Sequence, residues 1–168
     1  HILEPVYRER GAHKHLSEVL EIQLRQAAVD GDAIARLGLL ARLTDIYGER
    51  LRDQDLTWRT FARMFEIEPE STDVRVAFEE LTADLGRWQE LVDIYTAHAG
   101  DPAGGGARLA IKLAVARAWY HRIGDLESAR AFFHKVLDEE PEHAEALDAL
   151  ESIYIDLDRA EDLLDIYR

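Results

Sequence analysis

Residues 119–147 read WYHRIGDLESARAFFHKVLDEEPEHAEAL, and the punctuation of this stretch decides the fold. Gly124-Asp125 interrupts two helical patterns. Glycine accepts a left-handed backbone at no steric cost, and an aspartate after it can cap the next helix. Upstream, Leu109, Leu113, Ala116 and Tyr120 recur at i, i+4, i+7 and i+11, one helical stripe. Downstream, Leu126, Ala129, Phe133, Val136 and Leu137 form another. The small Ala129 lets the two helices approach where Tyr120 fills the neighbouring gap. Pro141 ends the second run, because proline lacks an N–H and restricts the residue before it. The stretch is a helical hairpin.

Working outward, the hairpin belongs to a repeat. Phe61 aligns with Phe133, Pro69 with Pro141, Ala77 with Ala149 and Leu85 with Leu157. Arg87 aligns with Arg159, Leu91 with Leu163, and Asp93-Ile94-Tyr95 with Asp165-Ile166-Tyr167, all without a gap. Earlier, Leu3, Tyr7, Gly11, Leu16 and Leu20 match Phe78, Thr82, Gly86, Leu91 and Tyr95. The spacing predicts helices over about 2–10, 13–28, 32–51, 54–67, 72–85, 87–99, 107–123, 125–139, 142–157 and 159–168. Ser71 or Thr72 is placed to cap the helix after Pro69. Two longer links interrupt the series, Val29-Asp30-Gly31-Asp32 and Gly100-Asp101-Pro102-Ala103-Gly104-Gly105-Gly106. The second reads either as a surface loop or as a hinge over 100–106.

The quoted segment is similar to the tetratricopeptide repeat. In that family an aromatic late in the first helix, a Gly-Asp turn, a small residue and an aromatic in the second helix, and a closing Pro recur in this order. Tyr120, Gly124-Asp125, Ala129, Phe133 and Pro141 hold those places, and the main displacement is about twice the family's 34-residue period. The chain departs from the pattern before Glu70, where Thr57 replaces the small Ala and Gly48 or Tyr47 must serve as the aromatic. The resemblance implies an all-α fold: an alpha-alpha superhelix, a TPR-like solenoid of about five hairpins in a right-handed stack. It covers 1–168 as a single repeat array, with units at about 1–28, 32–69, 70–99, 107–141 and 142–168. The apolar Leu163, Leu164, Ile166 and Tyr167 near the end are unlike a polar capping repeat. They point to a fragment of a longer protein or to self-association through the C-terminal helix.

Composition narrows the function classes. The chain has 168 residues, 47% hydrophobic and 32% charged, as expected of a folded chain rather than a disordered one. Its net charge is −14, from 34 acids and 20 bases. That balance disfavours nucleic acid, itself a polyanion, and no local basic patch stands out along the chain. It suits either a basic partner or simple solubility. Cysteine is absent, which excludes disulfides, thiolate catalysis and Cys-ligated metals. No apolar run approaches the roughly 20 residues a spanning helix needs. No signal segment opens the chain, so a cytoplasmic setting is the expectation, with a secreted or periplasmic protein after signal removal left open.

No constellation carries catalysis. His13-Lys14-His15 falls in an expected turn after Gly11, and its i, i+2 spacing would point the two rings apart on a helix. His98, His121, His134 and His143 lack a metal-ligand partner at helical spacing. The Asp138-Glu139-Glu140 run with Glu142 reads as solvated acids at a helix end. No nucleophile elbow or phosphate loop is present. Trp58, Trp88 and Trp119 read as packing residues before binding hot spots. His1 reads as an expression remnant. The expectation is a protein that is not an enzyme and needs no cofactor or metal.

The resemblance also implies a binding face, since first helices of such hairpins line a concave groove. Carried over residue by residue, the groove positions are Asp45 and Glu49 in the second unit. In the third they are Asp73, Val76, Glu80, Ala83 and Asp84. The fourth contributes Ile111, Ala114, Ala118, His121 and Arg122, and the fifth Glu145, Asp148, Ser152, Ile155 and Asp156. The groove is then acidic, with an apolar, basic-edged patch in its middle. It fits a protein or peptide partner carrying Lys or Arg around an apolar anchor. The same acids would also serve as a solvated surface. Binding of a C-terminal carboxylate, a known use of the family, is discounted because Ala114 and Ala118 replace the clamping side chains. The resulting expectation is an interaction scaffold. The alternatives are a structural spacer in a larger repeat protein and a regulatory, non-catalytic region of a multidomain enzyme.

Overall fold

The computed structural model describes residues 3–99 and 107–157, with side chains over 11–98 and 108–157. The expected loop 100–106, the helix expected at 159–168 with its apolar residues, and His1 lie outside the described residues. Every element among the described residues is helical, and no strand occurs there. The chain forms two compact units, His1–Leu85 and Gly86–Arg168. The division falls inside the repeat expected at 70–99. No helix among the described residues is long and apolar enough to cross a membrane.

The first unit contains α1 (Leu3–Val29), α2 (Ala33–Asp45), α3 (Gln54–Ile67) and α4 (Thr72–Leu85). A π-helical stretch, Ile46–Leu51, prolongs α2. The second contains α5 (Trp88–Ala99), α6 (Ala107–Ala118) with its own π-helical extension Trp119–Ile123, α7 (Leu126–Leu137) and α8 (Ala144–Asp156). Within each unit the closest backbone packing among the described residues joins consecutive elements, while side-chain contacts also reach from α1 to α3 and from α6 to α8. Leu20 and Leu24 of α1 meet Leu40, Leu43, Ile46 and Tyr47, and Met64 and Ile67 of α3 close over them. In the second unit the core comprises Leu91, Val92 and Tyr95, then Val115 and Ala116, then Phe133 and Val136, then Leu150 and Ile153.

The 72-residue displacement read from sequence recurs in the backbone. α3 begins at Gln54 and α7 at Leu126, while α4 begins at Thr72 and α8 at Ala144. The caps recur as well. The carboxylate of Asp53 accepts from the Leu56 N–H at 2.9 Å, and that of Asp125 from the Ser128 N–H at 3.0 Å. Ser71 Oγ accepts from the Val74 N–H at 3.4 Å, and His143 Nδ1 from the Ala146 N–H at 3.3 Å. Both π-helical stretches end in a left-handed residue. Gly124 takes φ 81, and Arg52, at the equivalent place, takes φ 54.

Within this frame the side chains exchange volume. Gly48 approaches Thr57 closely enough that a Cβ on it would lie 3.6 Å from the threonine Cγ2. The equivalent pair in the second unit is Tyr120 and Ala129, and Tyr120 packs edge-on against Phe133 at 6.3 Å. The larger Thr57, where the second unit has Ala129, is thus matched by a smaller residue across the interface. The helix–helix polar contact is exchanged too. Trp58 Nε1–H donates to Thr82 Oγ1 at 2.8 Å between α3 and α4. In the second unit Tyr154, at the place of Thr82, instead meets the ring of His134, hydroxyl to Nε2 at 2.7 Å, between α8 and α7.

One expectation fails. α1 runs unbroken through Gly11, so there is no turn there, and His13-Lys14-His15 is helical. Gly11 has no positive φ, unlike Gly86, to which it had been matched. A glycine inside a helix costs about 1 kcal/mol relative to alanine, too little to break a helix anchored by its buried Leu20, Leu24 and Ala27.

A left-handed backbone costs a residue with a Cβ about 1–2 kcal/mol relative to glycine. Gly124→Ala is therefore expected to lower unfolding free energy by about 1 kcal/mol, and Arg52→Gly to raise it by up to about 1 kcal/mol. Urea denaturation followed by far-UV circular dichroism measures both shifts.

Candidate functional site

α4 has two chemically distinct sides. Val74, Phe78 and Thr82 are buried against α3, with Phe78 centred 5.0 Å from the Trp58 ring. Asp73, Val76, Glu80, Ala83 and Asp84 are all exposed on the other side, as the 3.6-residue period requires. Asp45, at the end of α2, and Glu49, in its π-helical extension, are exposed as well. None of these five acids has a basic side chain at ion-pair distance among the described residues.

α8 repeats this layout. Ala146, Leu150, Ile153 and Tyr154 are buried, while Asp148, Ser152, Ile155 and Asp156 are exposed. Ile155 is 64% exposed, the largest open apolar side chain on that helix. Glu145 differs from its counterpart Asp73. Both of its oxygens accept from the guanidinium of Arg117 on α6, so the α6 and α8 surfaces are joined by a bidentate pair. That contact holds the Glu145 carboxyl below its ordinary value of 4.5.

The α6 residues do not form the expected surface patch. Ile111 and Ala118 are each only 2% exposed. α6 packs on both α5 and α7, so two of its sides are covered and the apolar part of the patch lies inside. Ala114 is half-buried, and only His121 and Arg122 are exposed. His121 lies against Tyr120, and the Arg122 guanidinium sits 5.1 Å from the centre of the Trp88 ring.

The remaining candidates have structural surroundings. Trp58 is buried in the α3–α4 interface, whereas Trp88 and Trp119 are half-buried. Glu139, from the acidic run after α7, accepts from Lys112 at 2.6 Å and pairs with Arg108 at 2.5 Å. Lys112 first, then Arg108, pulls its carboxyl below 4.5. This run therefore ties the end of α7 to α6, a role that single-sequence spacing does not reveal. His98 Nδ1 lies 2.9 Å from the Ile94 carbonyl, and His143 is the α8 cap. No group of three or more His, Asp or Glu side chains is placed to hold a metal among the described residues.

A second feature was not legible as a motif. Arg25, Arg36 and Arg63, distant in sequence, line one cleft of the first unit with Glu66. The absence of a basic run along the chain does not preclude a local basic cluster, and packing of α1, α2 and α3 makes one.

No protein-family model matches the chain, and no curated protein or solved structure matches it either.

Asp125, Glu139 and Glu145 all have depressed carboxyl values in the fold, Asp125 because the Ser128 N–H and hydroxyl both donate to it. The unfolded chain binds protons more readily at these sites, so their stabilisation is present above the ordinary values of 3.8 and 4.5 and is lost as pH falls through the lower folded values. Acid titration is expected to destabilise the second unit progressively below about pH 4.5, and Glu139→Gln to flatten that dependence. Urea midpoints across the acid range measure it.

Proposed function

We propose that the chain is a non-catalytic interaction scaffold of tetratricopeptide type, and that the acidic surface of α2 and α4 binds a basic segment of a partner protein. The stacking of hairpins into a right-handed superhelix is part of this reading. Its support is the close backbone packing of consecutive helices within each unit and the recurrence of caps and of one left-handed turn at a fixed displacement. A closed four-helix bundle within one unit would also pack that unit's first helix on its last.

The observation that carries the binding assignment is an internal comparison. In the second unit Arg117 and Glu145 satisfy each other. In the first unit the equivalent residues are Asp45 and Asp73, both acidic and both exposed. The cation supplied in one unit by the chain itself is missing from the other. Glu80 and Asp84 extend the negative charge along α4, and Val76, 49% exposed, offers an apolar contact among them. A lysine or arginine flanking an aliphatic anchor complements this surface.

A second reading, a structural spacer between further repeats, is favoured by α1. Val19, Ile22 and Val29 are 49%, 59% and 82% exposed on a side of the helix away from its buried Leu20, Leu24 and Ala27.

Fluorescence polarisation with a labelled Lys/Arg-rich peptide tests the leading reading. Binding is expected to weaken as salt rises, and Glu80→Lys or Asp84→Lys to reduce affinity by about fivefold or more, the scale of an exposed charge pair of about 1 kcal/mol. Glu140→Lys, in the α7–α8 loop, is expected to leave binding unchanged. Salt-independent binding, or equal affinity in all three variants, would contradict the assignment.

A further inference from the structure

We infer that the cleft between α1, α2 and α3 is a receptor for a single aliphatic carboxylate, independent of the acidic surface on α4. The cleft has a volume of about 130 Å³, and Arg25, Arg36, Arg63 and Glu66 line it together with Leu24 and Leu40.

The three guanidinium groups are not equivalent. Arg63 is already engaged: its Nη1 and Nη2 donate to the two oxygens of Glu21 at 2.8 and 3.1 Å. Tyr47 hydroxyl donates to the same carboxylate at 3.4 Å, so Glu21 is committed on several sides and holds Arg63 in place. Arg36 is different. It is half-buried, and its Nε is buried with no hydrogen-bond acceptor among the described residues. A buried N–H of a charged group without an acceptor is unfavourable, and such groups are rare unless something else fills the site. Arg25 on α1 has no ion-pair partner among the described residues either.

Charge and shape choose the ligand. Glu21 neutralises Arg63, and Glu66 is the one acid in the lining beside Arg25 and Arg36, which leaves one positive charge in excess. A monovalent carboxylate neutralises it, whereas a phosphate dianion would overshoot in a chain whose net charge is already −14. The planar carboxylate also matches the guanidinium fork of Arg36 with two parallel hydrogen bonds. Leu24, Leu40 and the exposed Ala28 line the cleft beside the arginines, so part of its wall is apolar and takes a short aliphatic stem. A free small carboxylic acid and the glutamate side chain of a partner protein present the same chemistry.

The test is a titration of the full chain with propionate at constant ionic strength, following the Arg36 Nε–H resonance by nitrogen-resolved NMR. A saturable shift is expected with propionate and not with chloride. Arg36→Lys, which keeps the charge but removes the fork, is expected to raise the propionate midpoint at least about tenfold when binding is read from thermal stability. Arg25→Gln is expected to weaken binding without abolishing it. A glutamate-containing peptide with blocked ends that binds more tightly than propionate identifies a protein source for the group, and equal affinity identifies a free acid. A shift that tracks chloride equally, tighter binding of inorganic phosphate, or an Arg36→Lys variant of unchanged affinity would overturn the inference. The Glu80→Lys chain is expected to bind propionate normally, which separates this site from the acidic surface.

Discussion

The structure depends on the inability of any one helix here to cover its own apolar stripe. Leu40 and Leu43 of α2 are buried only because α1 lies on one side and α3 on the other. Phe78 of α4 is fully buried because Trp58 and Phe65 of α3 meet it. The same holds for Val115 and Phe133 in the second unit, at the α6–α7 contact. Within each unit, burial of this kind links each helix to its neighbours in sequence. Buried polar groups are accommodated within it. Thr57, Thr60 and Thr82 each donate to the carbonyl four residues earlier, so no hydroxyl competes with the apolar contacts.

What recurs and what varies between the two units separates framework from function. The starts and caps of α3 and α4 and the left-handed residue before α3 recur at one displacement in α7 and α8, because they satisfy backbone groups and are indifferent to what the surface carries. Interior pairs are exchanged in compensating fashion, Gly48 with Thr57 for Tyr120 with Ala129, or Trp58 with Thr82 for His134 with Tyr154. The surface positions change without compensation. Asp45 in place of Arg117 removes an ion pair and leaves like charges, which contribute nothing to the fold. A residue that departs from the repeat without a structural partner is where a function is best sought.

Much of the helix pattern was legible in the sequence. The expected spans 54–67 and 72–85 coincide with α3 and α4, since both are bounded by strong local signals, Asp53 before the first and Pro69-Glu70-Ser71 between them. The Gly11 break was misplaced because a glycine reports only what backbone it permits, and tertiary burial decides which one it adopts. Of the expected binding residues, those on α4 and α8 are exposed, apart from the half-buried Glu145, but Ile111 and Ala118 are not. Helical spacing assigns a side of α6 and cannot say how many neighbours cover it. The arginine cleft escaped notice for a related reason: Arg25, Arg36 and Arg63 come from three helices, and no window along the chain contains them.

Hydrogen exchange on a Phe78→Leu chain tests the shared interior most directly. Phe78 belongs to α4, but the packing it completes is shared with α3 and, through the α3 contacts, with α2. A modest loss of apolar contact, worth about 1 kcal/mol, is expected to speed slow amide exchange by roughly fivefold to tenfold in α2, α3 and α4 together. Acceleration confined to α4, with α2 and α3 unchanged, would contradict the account.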